Sequence, residues 1–374
     1  MILGRFQIER IIMPAESDSN TPQSSREISM GFEIDLRSDT LTKPCPDMRR
    51  AMANAEVGDD VIDIDPTVVK LEERTAELLG KPAAIFMPSG TMTNQIALRL
   101  HCQPGDEFLC ESDCHIYNYE QGAFAQLSGL VARTIPGQRG ILELEQLIDS
   151  IRPTADHMVR TRLICLENTH NRGGGSIYPL QTGQAICQWA HTQGLTTHLD
   201  GARLFNAVVA TGISAARWSA EFDSVSICLS KGLGAPVGSL LAGTTEFVRR
   251  ARRARKLFGG GMRQVGILAA GGLYALDHNI QRLAEDHEHA RLLGDAIATI
   301  PGLCVQAPPV ETNMVIFRLA PELGPASNFA AKVAQAGVGV MPFGPQLIRV
   351  VTHRDVSRQQ TLRAAQILHT AATQ

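Results

Sequence analysis

The sequence lacks the features that would send a chain to a membrane, a disulfide scaffold or a polyanion. No apolar run approaches the roughly 20 residues a membrane-spanning helix needs. The 35 basic and 38 acidic residues nearly cancel, for a formal charge of −3. That balance supplies no overall pull toward nucleic acid or an anionic bilayer. Eight cysteines are present, and they form no CxxC pairs and no dense framework. Zinc-site spacing and a disulfide staple are therefore absent, and reduced thiols in a cytosolic enzyme fit better.

What is present is the composition of a globular protein. Of 374 residues, 44% are hydrophobic and 20% charged, enough chain for one large and one smaller domain. Residues 1–33 mix isolated apolar positions with the polar run PAESDSNTPQSSRE, and read as a disordered extension. Glu9, Glu16 and Asp18 argue against an organelle-targeting peptide there. From Ile34 onward, strand and helix patterns alternate. TVVKLEERTAELLG has helical apolar spacing and ends on Gly80, AAIFMPSG reads as a short buried strand entering a turn, and TRLICLEN, LTTHLDGAR, SVSICLSKG and GSLLAG read as further strands. The alternation predicts an α/β fold with a mostly parallel sheet over residues 34–275. A long charged helix and two apolar runs then predict a smaller α+β domain over residues 276–374.

Open α/β sheets bind ligands beyond the carboxyl ends of their strands, so the residues just past those ends are the place to look for chemistry. Three stretches stand there: Ser89-Gly90-Thr91, Asp200 to Arg203, and Ser230-Lys231. A lysine at a strand end most often snorkels to water. Desolvated, however, a lysine amine is a nucleophile that condenses with carbonyls. An aspartate at a neighbouring strand end can pair with a pyridinium nitrogen, and lysine plus aspartate is the minimum that pyridoxal phosphate requires. PSGTMTN puts a strand-to-helix junction nearby, whose free N–H groups and dipole suit a phosphate. His115, in SDCHIYNYEQG, could stack on a cofactor ring and exchange a proton, with Tyr119 four residues on.

With those residues in view, the chain resembles the threonine aldolases, the glycine-forming branch of the β-eliminating lyase group with the aspartate aminotransferase fold (fold type I). The resemblance rests on IDLRSDTLTKP, VGDDV, MPSGTMTN, LENTHNRGGG, HLDGARLFNAVVA, SVSICLSKGLGAPVGSLLAG, ARKLFGGGMRQVG and IRVVTHRDVS, in order, from Ile34 to the C-terminus. It implies pyridoxal phosphate carried on Lys231, with Asp200 on the ring nitrogen. It implies Arg203 beside the ring hydroxyl and the substrate carboxylate, Gly90 and Thr91 on the phosphate with Ser89, and His115 over the ring. Ser38 and Arg349 would take the substrate carboxylate, and His157, in DHMVRTRL, would lie near the substrate hydroxyl. Tyr119 would line the substrate pocket, and Lys256 or Arg263 would reach a cofactor phosphate, in this subunit or a neighbouring one. The implied reaction is aldol cleavage of L-threonine, L-allo-threonine and related β-hydroxy-α-amino acids, by a homo-oligomer with shared active sites.

Two other readings compete. β-Elimination or racemisation would use the same lysine and electron sink. The basic run RRARRARK, Arg249–Lys256, could mark a polyanion-binding module, but no aromatics interleave it and basic residues at helical spacing usually form a solvated face. His287 and His289 are two apart on a predicted helix, so they point in different directions and read as surface residues rather than metal ligands.

Overall fold

The computed structural model describes residues 31–306 and 308–374; most of the expected N-terminal extension lies outside the described residues. Residues 32–374 form one compact unit with two main hydrophobic cores.

The first core surrounds a seven-stranded sheet. Its order is Ala83–Met87, Ser239–Gly243, Ser224–Cys228, Thr196–Gly201, Thr161–Glu167, Glu107–Glu111, Val131–Ile135. Only Ser239–Gly243 runs antiparallel to its neighbours. Strands such as Ser224–Cys228 are buried at every position, because helices cover both faces of a parallel sheet. The helix Pro66–Leu79 shows how locally the sequence sets these elements. Asp65 caps it by accepting from Thr67 N and Val68 N, Pro66 occupies the first turn, and Gly80 ends it at φ 62°. Its Val68, Leu71 and Leu79 are fully buried, worth about 2 kcal/mol each.

The second core lies on a four-stranded antiparallel sheet ordered Met341–Gly344, Leu347–Val351, Met314–Leu319, Leu303–Val305. Helices Leu283–Ala298, Ala326–Gln335 and Arg358–Thr373 pack on it. Ile34 and Leu36 belong to this core, since Ile34–Asp35 pairs in parallel with Val338–Gly339. Sequence order had assigned them to the larger domain. The crossing brings the Arg37 carbonyl to Arg349 and Asp39 to Asn313, residues that arrive some three hundred positions later.

Two expectations about charge need correction. His287 and His289 are not on the surface: both are buried, and His287 Nε2 lies 2.9 Å from Asn206 Oδ1. Burial pushes the His287 imidazole down to about 4. The helix face was misjudged because Glu285, Glu288 and Arg291 face water, whereas both histidines and Asp286 face inward. The basic helix Thr245–Leu257 is likewise not a free cationic face throughout: Arg255 is buried against Asp60 at 2.7 Å and donates to the Phe86 carbonyl, and Arg252 pairs with Glu72.

Candidate active site

The residues after the strands converge as the topology requires. Ser89 caps the helix Gly90–His101, its Oγ accepting from Met92 N at 3.2 Å. With Met92 N–H taken by that cap and Thr93 N–H by the Ser89 carbonyl, the N–H groups of Gly90 and Thr91 have no intrahelical acceptor and suit an anion. Gly90 has to be glycine, because a Cβ there would stand 2.7 Å from Cys228 Sγ. The helix start is thus pressed against the strand that leads to Lys231.

Lys231 is held by its backbone. Its carbonyl accepts from Gly234 N at 2.8 Å and from Thr42 Oγ1 at 2.9 Å, which leaves the amine as the free end. Asp200 is buried. Its Oδ2 accepts from Asn94 Nδ2 at 2.8 Å and its Oδ1 from Ala202 N at 3.1 Å. Burial works to raise its pKa, but His115, Lys231, Asn94 and His198 together hold it below the ordinary carboxylate range. A permanently charged carboxylate in a dry setting is what a ring nitrogen needs to stay protonated.

His115 begins a short helix, His115–Asn118, and donates its backbone N–H to Glu167 Oε2 at 2.7 Å. Its Nδ1 lies 2.9 Å from Glu120 Oε1, and the Tyr119 ring is tilted against it at 5.5 Å between centroids. Burial lowers its pKa, yet the Glu120 hydrogen bond and the charge of Asp200 raise it overall. Asn94 lies behind these groups. Its Nδ2 donates to both Asp200 and Glu120, and its Oδ1 accepts from Ser226 Oγ at 2.9 Å and faces His198 Nε2 at 3.2 Å. His198 and His101 both face Ser224 Oγ at 2.8 Å, and burial pushes them down to about 4 and about 3.

Two arginines complete the site. Arg203 is buried and spends Nε and Nη2 on a two-pronged pair with Asp39, at 2.8 and 2.7 Å. Asn313 Nδ2 also donates to Asp39. Burial works to raise the Asp39 pKa, and Arg203, Lys231 and Asn313 outweigh it, leaving the group far below the usual range. Arg349 is also buried, but it meets only neutral acceptors: Asn171 Oδ1 at 2.7 Å, the Arg37 carbonyl at 3.0 Å and Met341 Sδ. Its Nε has no partner among the described residues, and its guanidinium lies over the Phe343 ring at 4.8 Å. Burial and the nearby Arg203 charge lower its pKa to about 10. Ser38 adjoins Arg37, with its Oγ accepting from Thr40 N and Thr40 Oγ1.

Lys231, Asp200, Arg203, His115, Tyr119, Ser38, Arg349 and the Ser89–Thr91 junction therefore gather around one end of the large sheet. His157 does not join them. It is exposed and precedes Thr161–Glu167, at the amino end of that strand. Seven strand residues span roughly 20 Å, so within this chain it lies at the far end of the sheet from the site. Lys256 and Arg263 remain on the surface and make no bond to the Ser89–Thr91 junction. Arg263 instead pairs with Asp59 at 3.2 Å, although Gly260 packs close to Met92 in the first turn of the cradle helix.

Sequence reasoning missed Asp39, Asn94, Glu120, Asn171 and His170. Each sits inside a quoted motif, and Asp39, Asn94 and Glu120 lie within three positions of a chosen residue. His170, in LENTHN, follows a strand end as Lys231 does. It is buried with Nδ1 accepting from Gly173 N at 3.0 Å and Nε2 3.1 Å from Glu111 Oε2. That contact is an ion-pair approach rather than an aligned hydrogen bond.

The donor set fits pyridoxal phosphate: a tethering amine, a buried anion for the ring nitrogen, a helix N-terminus for the phosphate and an imidazole beside them. His115, Glu120 and Asp200 also bring potential ligand atoms within 4.8 Å of one another, as a metal site would. The Asn94 and Gln95 amides aim N–H donors at those carboxylates, which a cation would have to displace.

Comparison with known proteins agrees. The β-eliminating lyase family model matches residues 35–320. A low-specificity L-threonine aldolase of Escherichia coli K12 is 42% identical over 333 residues, covering 89% of this chain and 97% of that protein. Low-specificity L-threonine aldolase 1 of Arabidopsis thaliana is 40% identical over 331 residues, covering 87% and 92%. Among solved structures, a threonine aldolase of Leishmania major superposes with a TM-score of 0.77 at 22% identity, covering 91% of this chain and all of that one. A Sphingomonas wittichii serine palmitoyltransferase, sharing the fold alone, gives 0.73 at 17% identity, covering 90% and 86%. The chain belongs to the β-eliminating lyase family, as a pyridoxal-phosphate-dependent member of its threonine aldolase branch.

Proposed function

We propose that the protein cleaves L-threonine, L-allo-threonine and related β-hydroxy-α-amino acids to glycine and an aldehyde, acetaldehyde in the case of threonine. The observation that carries this reading is Arg349, a buried guanidinium with no carboxylate partner among the described residues, set beside the Lys231–Asp200–His115 group. Leaving a cation uncompensated costs several kcal/mol unless an anion arrives to complete the site. An amino-acid carboxylate supplies that anion, and a guanidinium fork suits its planar shape.

Lys231 would tether the cofactor, Asp200 would face its ring nitrogen, His115 its ring, and Ser89, Gly90 and Thr91 its phosphate. When bound, pyridoxal phosphate supplies an electron sink for the pair left at Cα as the Cα–Cβ bond opens. Asp200 holds the negative charge that sink depends on. Arg349, with Ser38 and the remaining Nη1 of Arg203, grips the carboxylate and fixes which Cα bond is presented for cleavage. His115 Nε2, or a water bonded to it, takes the β-hydroxyl proton. Tyr119, bonded to Arg172, lines the side where the β-substituent leaves.

The same reading makes the protein a cytoplasmic homo-oligomer, a dimer or tetramer, divided into large and small domains near residue 275. Exposed Ile62 (80%), Ile64 (63%) and Leu257 (65%) support an interface near Lys256 and Arg263, through which a neighbouring copy's site is completed. No helix among the described residues is long and apolar enough to cross a membrane.

The test is a turnover assay on the cofactor-loaded protein with L-threonine and L-allo-threonine in parallel, quantifying glycine and acetaldehyde. Equimolar products support the reading. Ammonia and pyruvate from serine, with no acetaldehyde from threonine, would replace it with β-elimination. Loss of configuration at Cα, with no cleavage products, would replace it with racemisation.

A further inference from the structure

Glu120 carries no role in the scheme above, yet its setting is unusual. Its side chain is fully buried, with 0% exposure, and among the described residues the only side chain that can offer it a positive charge within hydrogen-bond distance is His115. Every other contact is an amide donor. Asn94 Nδ2 donates to Oε1 at 2.9 Å and Gln95 Nε2 to Oε2 at 2.5 Å. Both amides come from the first turn and a half of the helix Gly90–His101, whose start is the proposed phosphate cradle. A buried carboxylate without such donors would be neutral or expelled. Here two amides and an imidazole satisfy it, and all three belong to elements that also build the cofactor site.

We propose that Glu120 is the positioning residue for His115: it takes the Nδ1 proton as a hydrogen bond, fixes the imidazole in the tautomer that leaves Nε2 free toward the substrate, and sets the plane of the ring. The role assigned to the free Nε2 rests on the proposed reaction; the tautomer does not. Glu120 touches neither substrate nor cofactor in this scheme and acts through His115. Asn94 extends the arrangement, because the same amide nitrogen donates to Glu120 and to Asp200. The amide ties the ring's carboxylate partner to the imidazole's carboxylate partner, so the two groups that would flank the cofactor keep one geometry.

The groups that face His115 come from several elements. Glu120 and Tyr119 lie on its own segment, and Glu167 accepts its backbone N–H from the strand Thr161–Glu167. Asp200 acts from the neighbouring strand end and raises its proton affinity, while Lys231 lowers it. Burial opposes the imidazolium, and Glu120 supplies the largest contribution in its favour.

Glu120→Gln is a clean probe. It is isosteric, and its Oε1 can still accept from His115 Nδ1 and Asn94. Its new N–H would face Gln95, whose Oε1 has no partner at present. A flip of the Gln95 amide gives that N–H an acceptor and turns Gln95 Nε2 to the side where Oε1 has no partner now, so the variant removes the charge and leaves one buried amide end unpaired, as wild type already does. The readout is NMR of protein labelled at histidine 13Cε1 and 15N, with His115→Asn assigning the resonance. In the wild type, the 15N shifts above the titration should show Nδ1 protonated and Nε2 bare. In Glu120→Gln the His115 midpoint should fall by about one pH unit, with Glu120→Asp staying near wild type. The acidic limb of the cleavage profile should move with it, kcat falling more than KM rises.

A wild-type Nε2–H tautomer overturns the proposal, and that result needs no variant to fold. An unmoved midpoint in folded Glu120→Gln overturns it equally. A protein with the predicted tautomer and midpoint but no acetaldehyde production would retain the positioning role and lose only the reaction assigned to it.

Discussion

Two arginines stand at the same site, both buried, and they are treated oppositely. Arg203 is locked two-pronged onto Asp39, with Asn313 adding a third bond to the same carboxylate. Arg349 is surrounded by an amide oxygen, a carbonyl and a thioether. The first has its charge neutralised by Asp39, with only Nη1 left over. The second is a charge the fold holds ready without neutralising it, and its pKa, lowered to about 10 by burial and by Arg203, is the measure of that tension. The contrast separates a cation the fold itself neutralises, with only Nη1 left over, from one it leaves without a carboxylate, where sequence shows only two arginines. It also explains why the Asp39–Arg203 pair bridges the strand-end loop and the N-terminal segment: the pair pins Ser38 and Arg37 where Arg349 can use them.

The largest effect expected from breaking the comparison is on stability at the complete pair. Arg203→Leu strands Asp39 as a buried unpaired carboxylate and should cost roughly 3–5 kcal/mol in urea unfolding of the holoenzyme. The Asp39 pKa lies below its unfolded value, so this contribution is present above about pH 4 and is lost as pH falls further. A variant as stable as wild type would mean that the pair is replaceable.

A smaller effect comes from the histidines behind the site. His198 and His287 are held down to about 4, and His101 to about 3, by burial. Their folded values lie below the ordinary 6.5, so their contribution to stability is whole above that pH and drains as pH falls toward the folded values. Asp286, raised to about 6 by burial, opposes them over part of the range by binding its proton earlier in the folded state. The net expectation is a loss of a few kcal/mol between about pH 7 and 5. His198→Gln should flatten that slope without touching the Arg203–Asp39 contribution, and an unchanged slope would remove His198 from the account.

The smallest effect is expected at His157. Its exposed position before Thr161 predicts that His157→Ala alters kcat/KM by less than about twofold, as for surface changes elsewhere. A hundredfold loss would return it to the active site.

Much of the site could be read from the sequence because its residues stand at strand ends, which period and punctuation reveal. Lys231, Asp200 and the Ser89–Thr91 junction were legible for that reason, and Arg349 and Ser38 through the family resemblance. Asp39, Asn94 and Glu120 were not. Their significance lies in which partner they meet after the chain has folded, and nothing local marks a glutamate in NYEQG as fully buried. His157 failed for a related reason: a short motif match carries no information about which end of a parallel strand it occupies. Five of the seven strands of the large sheet appear where their patterns predict, while Glu107–Glu111 and Val131–Ile135 were not read from the sequence. The N-terminal pairing of Ile34–Asp35 with Val338–Gly339 is a long-range contact that no local pattern encodes.

The most direct test of the central claim sets Arg349→Leu beside wild type and reads L-threonine cleavage and unfolding on the same preparations. The account predicts that kcat/KM falls by about a thousandfold or more, while stability is unchanged or rises, because an uncompensated buried charge has been removed. Destabilisation like that expected of Arg203→Leu, with cleavage retained, would show that Arg349 holds the fold together, and that the carboxylate is gripped elsewhere.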